Sequence, residues 1–130
     1  MSQSGKHPVP RTYDDFVREA RALIREVDVA QAGAAHAAGA LFLDVREPHE
    51  VAGRAVPDAL VIPRGRLESD APDWIFEPGG MLIVYCSTGK RSALAVKTLL
   101  EMGFTGAVSL AGGFAAWQAA SHPVGAPRPM

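Results

Sequence analysis

The chain holds a single cysteine, and small and basic residues follow it at once: Cys86-Ser87-Thr88-Gly89-Lys90-Arg91-Ser92. A thiol attacks as its thiolate, the form that helix N-termini and nearby cations favour. The segment before it, Leu82 to Tyr85, is continuously apolar, and the segment after it, Lys90 to Met102, carries Ala93, Val96, Leu99 and Leu100 on one helical face. Cys86 is therefore expected at a strand-to-helix turn. There, successive backbone N–H groups can cradle an anion, and Gly89 lets the chain bend tightly. A lone cysteine is more usually a buried core residue. A core position, however, has no use for Ser, Thr, Gly, Lys and Arg packed behind it. An anion cradle uses the small residues for close backbone approach and the basic ones for charge, so the spacing points to a nucleophilic Cys86.

The elements that must position this loop are legible in the surrounding pattern. Leu41 to Val45, Ala59 to Ile62 and Met81 to Tyr85 are short apolar runs bounded by Gly, Pro or charged residues, as strands buried on both faces are. Ala107 to Leu110 adds another, followed by Gly112-Gly113, read as a tight turn, and a short helix ending near Trp117. Upstream, Thr12 with Asp15 forms a capping signature, and Phe16, Ala20, Leu23, Ile24 and Val27 predict an apolar stripe facing the sheet. The Ala-rich segment Val29 to Gly39 can form a helix with little large apolar surface to anchor it. Gly103 is placed to end the helix after Cys86. Strands alternating with helices imply an α/β fold with a parallel sheet, whose site lies beyond the carboxyl ends of the strands. Asp44 and Cys86 stand at two such ends.

Length and composition narrow the possibilities. The 130 residues, 48% hydrophobic, suit one domain over 12–120, with flexible tails expected over 1–11 and 121–130. A formal charge of −1 gives no electrostatic case for nucleic acid or an anionic membrane as partner. No run approaches the ~20 apolar residues of a membrane span, and the first residues lack the apolar core of a secretory signal, so a cytoplasmic protein is expected. The four histidines are scattered, giving no metal-ligand spacing. His7, His49 and His122 read as surface residues, and Trp74, Phe76 and Trp117 as core.

Several of these motifs together resemble the rhodanese domain: Leu43-Asp44-Val45-Arg46-Glu47-Pro48 with Glu50 and Gly53, Ile62-Pro63-Arg64-Gly65, Val84-Tyr85-Cys86 with Arg91-Ser92, and Leu110-Ala111-Gly112-Gly113 with Trp117. The resemblance covers roughly 25–120. It implies a three-layer α/β/α fold with a five-stranded parallel sheet and the active loop after the fourth strand. It further implies a sulfurtransferase in which Cys86 takes a sulfane sulfur from thiosulfate or a persulfide donor. That sulfur is then passed to cyanide or a thiol acceptor, or to a protein partner, without cofactor or metal. The amides of Ser87, Thr88, Gly89, Lys90 and Arg91 would hold the persulfide, and Ser92 is expected to cap the helix. Asp44 is expected to brace the loop, and Arg46 and Glu50, four apart, to form an ion pair.

Two other readings stay open. A persulfide carrier or regulatory module would use the same thiol without turnover. Phosphatases and arsenate reductases of this fold typically hold one residue more between Cys and Arg, a wider ring for a tetrahedral oxyanion, and the loop here offers no carboxylic acid as general acid. The chain also departs from the family pattern, placing Arg54 where a histidine is usual and Asp58 where a turn glycine is usual.

Overall fold

The computed structural model describes residues 9–129. Six α-helices and five strands alternate along it: α1 (Tyr13–Leu23), β1 (Glu26–Val27), α2 (Val29–Ala37), β2 (Leu41–Asp44), α3 (Pro48–Val51), β3 (Leu60–Val61), a 3-10 turn Arg64–Arg66, α4 (Leu67–Trp74), β4 (Leu82–Tyr85), α5 (Lys90–Met102), β5 (Ala107–Leu110) and α6 (Gly113–Ala119). Every strand pair is parallel, in the order β1-β5-β4-β2-β3. Central strands β4 and β5 are buried throughout, which is why their sequences carry no polar alternation. β1 is only two residues long, too short for any periodicity to reveal it.

The pleat sends alternate residues to two cores. Leu43, Val84, Cys86 and Ala107 face α4 and α5, and α1 packs across α5 through buried Val17 and Ala20. Phe42, Ile83, Tyr85, Val108 and Leu110 face α2, α3 and α6 with Trp117. The result is the expected three-layer α/β/α arrangement. β3 lies on one side of β2 and β4 on the other, so the strand order reverses at β2, and the carboxyl ends of β2 and β4 bring Asp44 and Cys86 to the same end of the sheet. Among the described residues, no helix is long and apolar enough to cross a membrane, and no cluster of His, Cys, Asp or Glu could hold a metal ion.

The Thr12–Asp15 capping box forms with both hydrogen bonds in place, and Gly103 ends α5 with φ of 100°. The stripe on α1 is corrected: Phe16 and Leu23 are 43% and 62% exposed, because the burying contact is a narrow one against α5, and Arg11 lies 4.3 Å over the outward Phe16 ring. Trp74 and Phe76, read as core, are also exposed, at 41% and 79%. They rim a groove of about 630 Å³ with His36, Leu41 and Met81 at the amino ends of the strands, the end of the sheet opposite Cys86.

Of the expected N-terminal tail, residues 9–11 are exposed and lack helix or strand, while 1–8, with His7, lie outside the described residues. The other expected tail is different: residues 121–129 form a strap against the body. Gly125 bridges Ala55 in antiparallel fashion, the Asp58 amide donates to Ala126, and the Arg128 amide donates to Ala59. Trp117 Nε1 donates to the Pro123 carbonyl at 2.7 Å. The half-buried His122 ring lies 4.5 Å from that of Trp117, so it is not a free surface histidine. The proline and glycine content that suggested a loose tail instead suits an extended strap, since such residues need no helix to satisfy their backbone. Asp58 holds a left-handed φ of 66°, which favours glycine, and pairs with Arg128 at 2.8 Å, a local contact that supports the conformation. Deleting 121–130 exposes Trp117 and is expected to lower the melting temperature by about 5 °C or more. A thermal melt within about 1 °C of the intact chain would contradict that role for the strap.

Candidate active site

Cys86 is the first residue after β4, and its side chain points to the α5 side of the sheet with only 1% of the residue exposed. Its sulfur accepts backbone N–H groups from Gly89 at 3.1 Å and Ser92 at 3.4 Å. Gly89 makes this possible as the N-cap of α5 with φ of 103°, a conformation that turns the chain back over the sulfur. The Ser92 hydroxyl lies 3.6 Å from the sulfur. Ser87 is half-buried, while Thr88 and Lys90 are exposed on the outer side of the loop.

Ser92 is not the helix cap. It is the third helical residue, fully buried, and its hydroxyl meets Sγ and the Ser109 hydroxyl, 2.9 Å away on β5. The cap position falls to Gly89 because only a residue free to adopt positive φ can close the loop so soon after Cys86.

The charges around the loop are paired. Arg91 and Glu50 form a two-pronged bridge with N–O distances of 2.6 and 2.8 Å. Lys90 reaches Asp14 of α1 at 3.1 Å. The expected Arg46–Glu50 ion pair is corrected: the Glu50 carboxylate is taken by Arg91, and Arg46 reaches only the Glu50 carbonyl, at 3.4 Å. The Arg46 side chain instead pairs with buried Asp44 at 2.7 Å and donates to the Arg54 carbonyl. The reason is burial. Asp44 is fully enclosed beside Tyr85, and an enclosed carboxylate needs a cation more than a half-exposed one does. Burial opposes the Arg46 charge, but the hydrogen bond and charge of Asp44 outweigh it and leave the guanidinium more basic than usual. Burial, together with Asp44, pushes the Tyr85 hydroxyl well up, so it stays protonated, and it accepts the Val56 amide at 3.0 Å.

Asp44 and Arg46 lie on the face of the sheet opposite the Cys86 side chain, and they reach the loop indirectly. The Arg46 guanidinium lies 4.3 Å over the Phe114 ring. The Phe114 amide donates to the Cys86 carbonyl at 2.8 Å, and the Ala115 amide donates to the Ser87 carbonyl at 3.0 Å. The first amides of α6 thus hold the active loop by its carbonyls, and Gly113 is the residue that lets them approach. In the sequence Gly112-Gly113 reads only as a turn, and nothing singles out Ser109 within its apolar run. The signals available were a Gly-Gly pair opening a helix beside a strand end and a single hydroxyl inside an apolar strand. Arg54 is exposed, and its carbonyl is the part that enters the network.

The Arg91 hydrogen bonds and the Glu47 amide hold the Glu50 carboxyl at about 2, below its ordinary 4.5. A lowered folded value means that the pair stabilises the fold above about pH 4.5, and that this contribution fades as the pH falls toward 2. Glu50→Gln is expected to flatten the acid limb of the stability curve between those values. Chemical denaturation of both proteins across that window checks it, and an unchanged acid limb would contradict the pairing.

Comparison with known proteins agrees with this architecture. The family model of the rhodanese-like domain matches residues 26–120. An uncharacterized Synechocystis protein, slr1261, is 36% identical over 64% of this chain, which spans only 45% of that protein's length. A sulfurtransferase of Allochromatium vinosum is 32% identical over 67% of this chain and 79% of its own. A solved structure from Rhodopseudomonas palustris, of unknown function and described as a possible tyrosine phosphatase, superposes with a TM-score of 0.82 at 30% identity, covering 93% of this chain and 99% of that one. The match over most of the chain, together with the five-stranded parallel sheet and the loop after β4, shows that the chain belongs to the rhodanese-like domain family.

Proposed function

We propose that the protein is a sulfurtransferase that carries sulfur as a persulfide on Cys86. In the first half-reaction the Cys86 thiolate attacks the outer sulfur of thiosulfate or of a small persulfide. The donor's S–S bond breaks, sulfite or a thiolate leaves with the electron pair, and Cys86–S–S⁻ remains. In the second, cyanide or a thiolate attacks the outer sulfur, the new S–S bond breaks, and the Cys86 thiolate is regenerated. No outside oxidant or reductant enters either step. The amides of Lys90 and Arg91, first in α5 and without intrahelical acceptors, are free to receive the outer sulfur anion.

The observation that carries this reading is the closeness of the ring: the Gly89 and Ser92 amides converge on one sulfur atom. A phosphatase reading draws support from the description of the Rhodopseudomonas neighbour. Against it stands Arg91. Its two terminal nitrogens are engaged side by side with the Glu50 carboxylate, the two-pronged geometry that a phosphate would otherwise take. Steady-state assays separate the readings: thiocyanate release from thiosulfate and cyanide, beside hydrolysis of an aryl phosphate. Sulfur turnover without phosphate release is the expected result, and the reverse would overturn the proposal. Persulfide formation without turnover would replace the enzyme by a carrier that meets a protein acceptor.

A further inference from the structure

A buried hydroxyl is costly unless it is hydrogen-bonded, and β5 places one at Ser109, fully enclosed among apolar neighbours. Its side-chain partner is the Ser92 hydroxyl at 2.9 Å, and Ser92 in turn lies 3.6 Å from the Cys86 sulfur. The three groups form a chain, Ser109–Ser92–Cys86, sealed between β5, β4 and α5. Each hydroxyl carries one proton, so the chain has two directions. With a thiol, S–H donates to Ser92, and Ser92 donates to Ser109. With a thiolate or a persulfide, Ser109 donates to Ser92, and Ser92 donates to sulfur.

We propose that Ser109 is a positioning residue for the sulfur chemistry, holding the Ser92 hydroxyl so that it serves as a third donor to the Cys86 anion beside the Gly89 and Ser92 amides. The physical need for it lies in the helix. A serine in the first turn of α5 can rotate its hydroxyl onto a carbonyl three or four residues back, here Gly89 or Thr88, and be lost to the sulfur. A fixed partner at 2.9 Å on the neighbouring strand opposes that rotation. The proposal rests on the sulfurtransferase reading only in taking Cys86 as the reacting thiol.

The other charged groups facing the loop are Arg91 with Glu50, Lys90 with Asp14, Arg21 with Glu26 on the α1 side, and Asp44 with Arg46 across the sheet. Among the described residues Tyr13, against Lys90, Tyr85, and His49, whose charge acts on Glu50, join the titratable set. Changing Ser109 leaves all of them in place. Because the chain has one cysteine, iodoacetamide labelling reports on Cys86 alone and needs no sulfur donor. Failure of this proposal and failure of persulfide formation are therefore read separately.

Ser109→Ala is expected to slow labelling below neutral pH by about 3- to 10-fold and to move the pH profile upward by about half a unit to one unit, the effect of losing one hydrogen bond to a charged acceptor. Ser92→Ala is expected to match or exceed it, and the double variant to be no worse than Ser92→Ala alone, since Ser109 acts through Ser92. Ser109→Thr, which keeps the hydroxyl, is expected to restore the profile of the native chain. A native profile in Ser109→Ala, additive effects in the double variant, or equal shifts in Ser109→Ala and Ser109→Thr would each overturn the proposal.

Discussion

Cys86→Ser is expected to lower thiosulfate-to-cyanide sulfur transfer by at least about 10⁴-fold, the scale of losing a covalent nucleophile. The fold should survive the change. Serine is close in shape, and its oxygen can take the Gly89 and Ser92 amides that now point at sulfur. The expected pattern is thus a melting curve near that of the native chain with no thiocyanate above background. Turnover within about tenfold of native would place the chemistry elsewhere.

Gly113→Ala is expected to harm the site by a different route. A Cβ on Gly113 would lie 2.6 Å from both the Cys86 and Ser87 carbonyl oxygens, on a backbone with φ of 60°. Neither obstacle can yield cheaply, because both are the main chain of the active loop. Left-handed strain and the clash together should cost about 2–4 kcal/mol. A displacement of the loop by about 1 Å should cost a further ~100-fold in kcat/KM. Gly112→Ala makes the matching control. Its Cβ would meet the Ala116 side chain at 2.6 Å, within α6 itself and clear of the Cys86 loop. Both variants should lose stability, and only Gly113→Ala should lose activity out of proportion to it. Equal activity losses at equal stability would contradict the role assigned to the α6 amides.

What the sequence disclosed and what it withheld follow from the range of the interactions. Apolar runs revealed β2, β4 and β5, because strands buried on both faces need no partner to be recognised. The Cys86 loop was legible since its small residues, glycine and cations are contiguous. The partners of its charges were not. Arg91 and Glu50 are distant in sequence, and the local rule of spacing by four assigned Glu50 to Arg46 instead. Only the fold shows that Asp44 is the more deeply enclosed carboxylate and takes that guanidinium. Ser109 and Gly113 escaped for the same reason, since each matters through a residue on another element. Trp74 and Phe76 misled because large aromatic residues are usually internal, whereas here they rim a groove at the far end of the sheet.

The most direct test is the intact mass of the reduced protein after incubation with thiosulfate, recorded under non-reducing conditions beside Cys86→Ser. A gain of about 32 Da, one sulfur atom, in the native chain and not in the variant, reversed by cyanide, is the result predicted for a Cys86 persulfide. No gain from thiosulfate or from a small persulfide donor, or a gain that persists in Cys86→Ser, would contradict it.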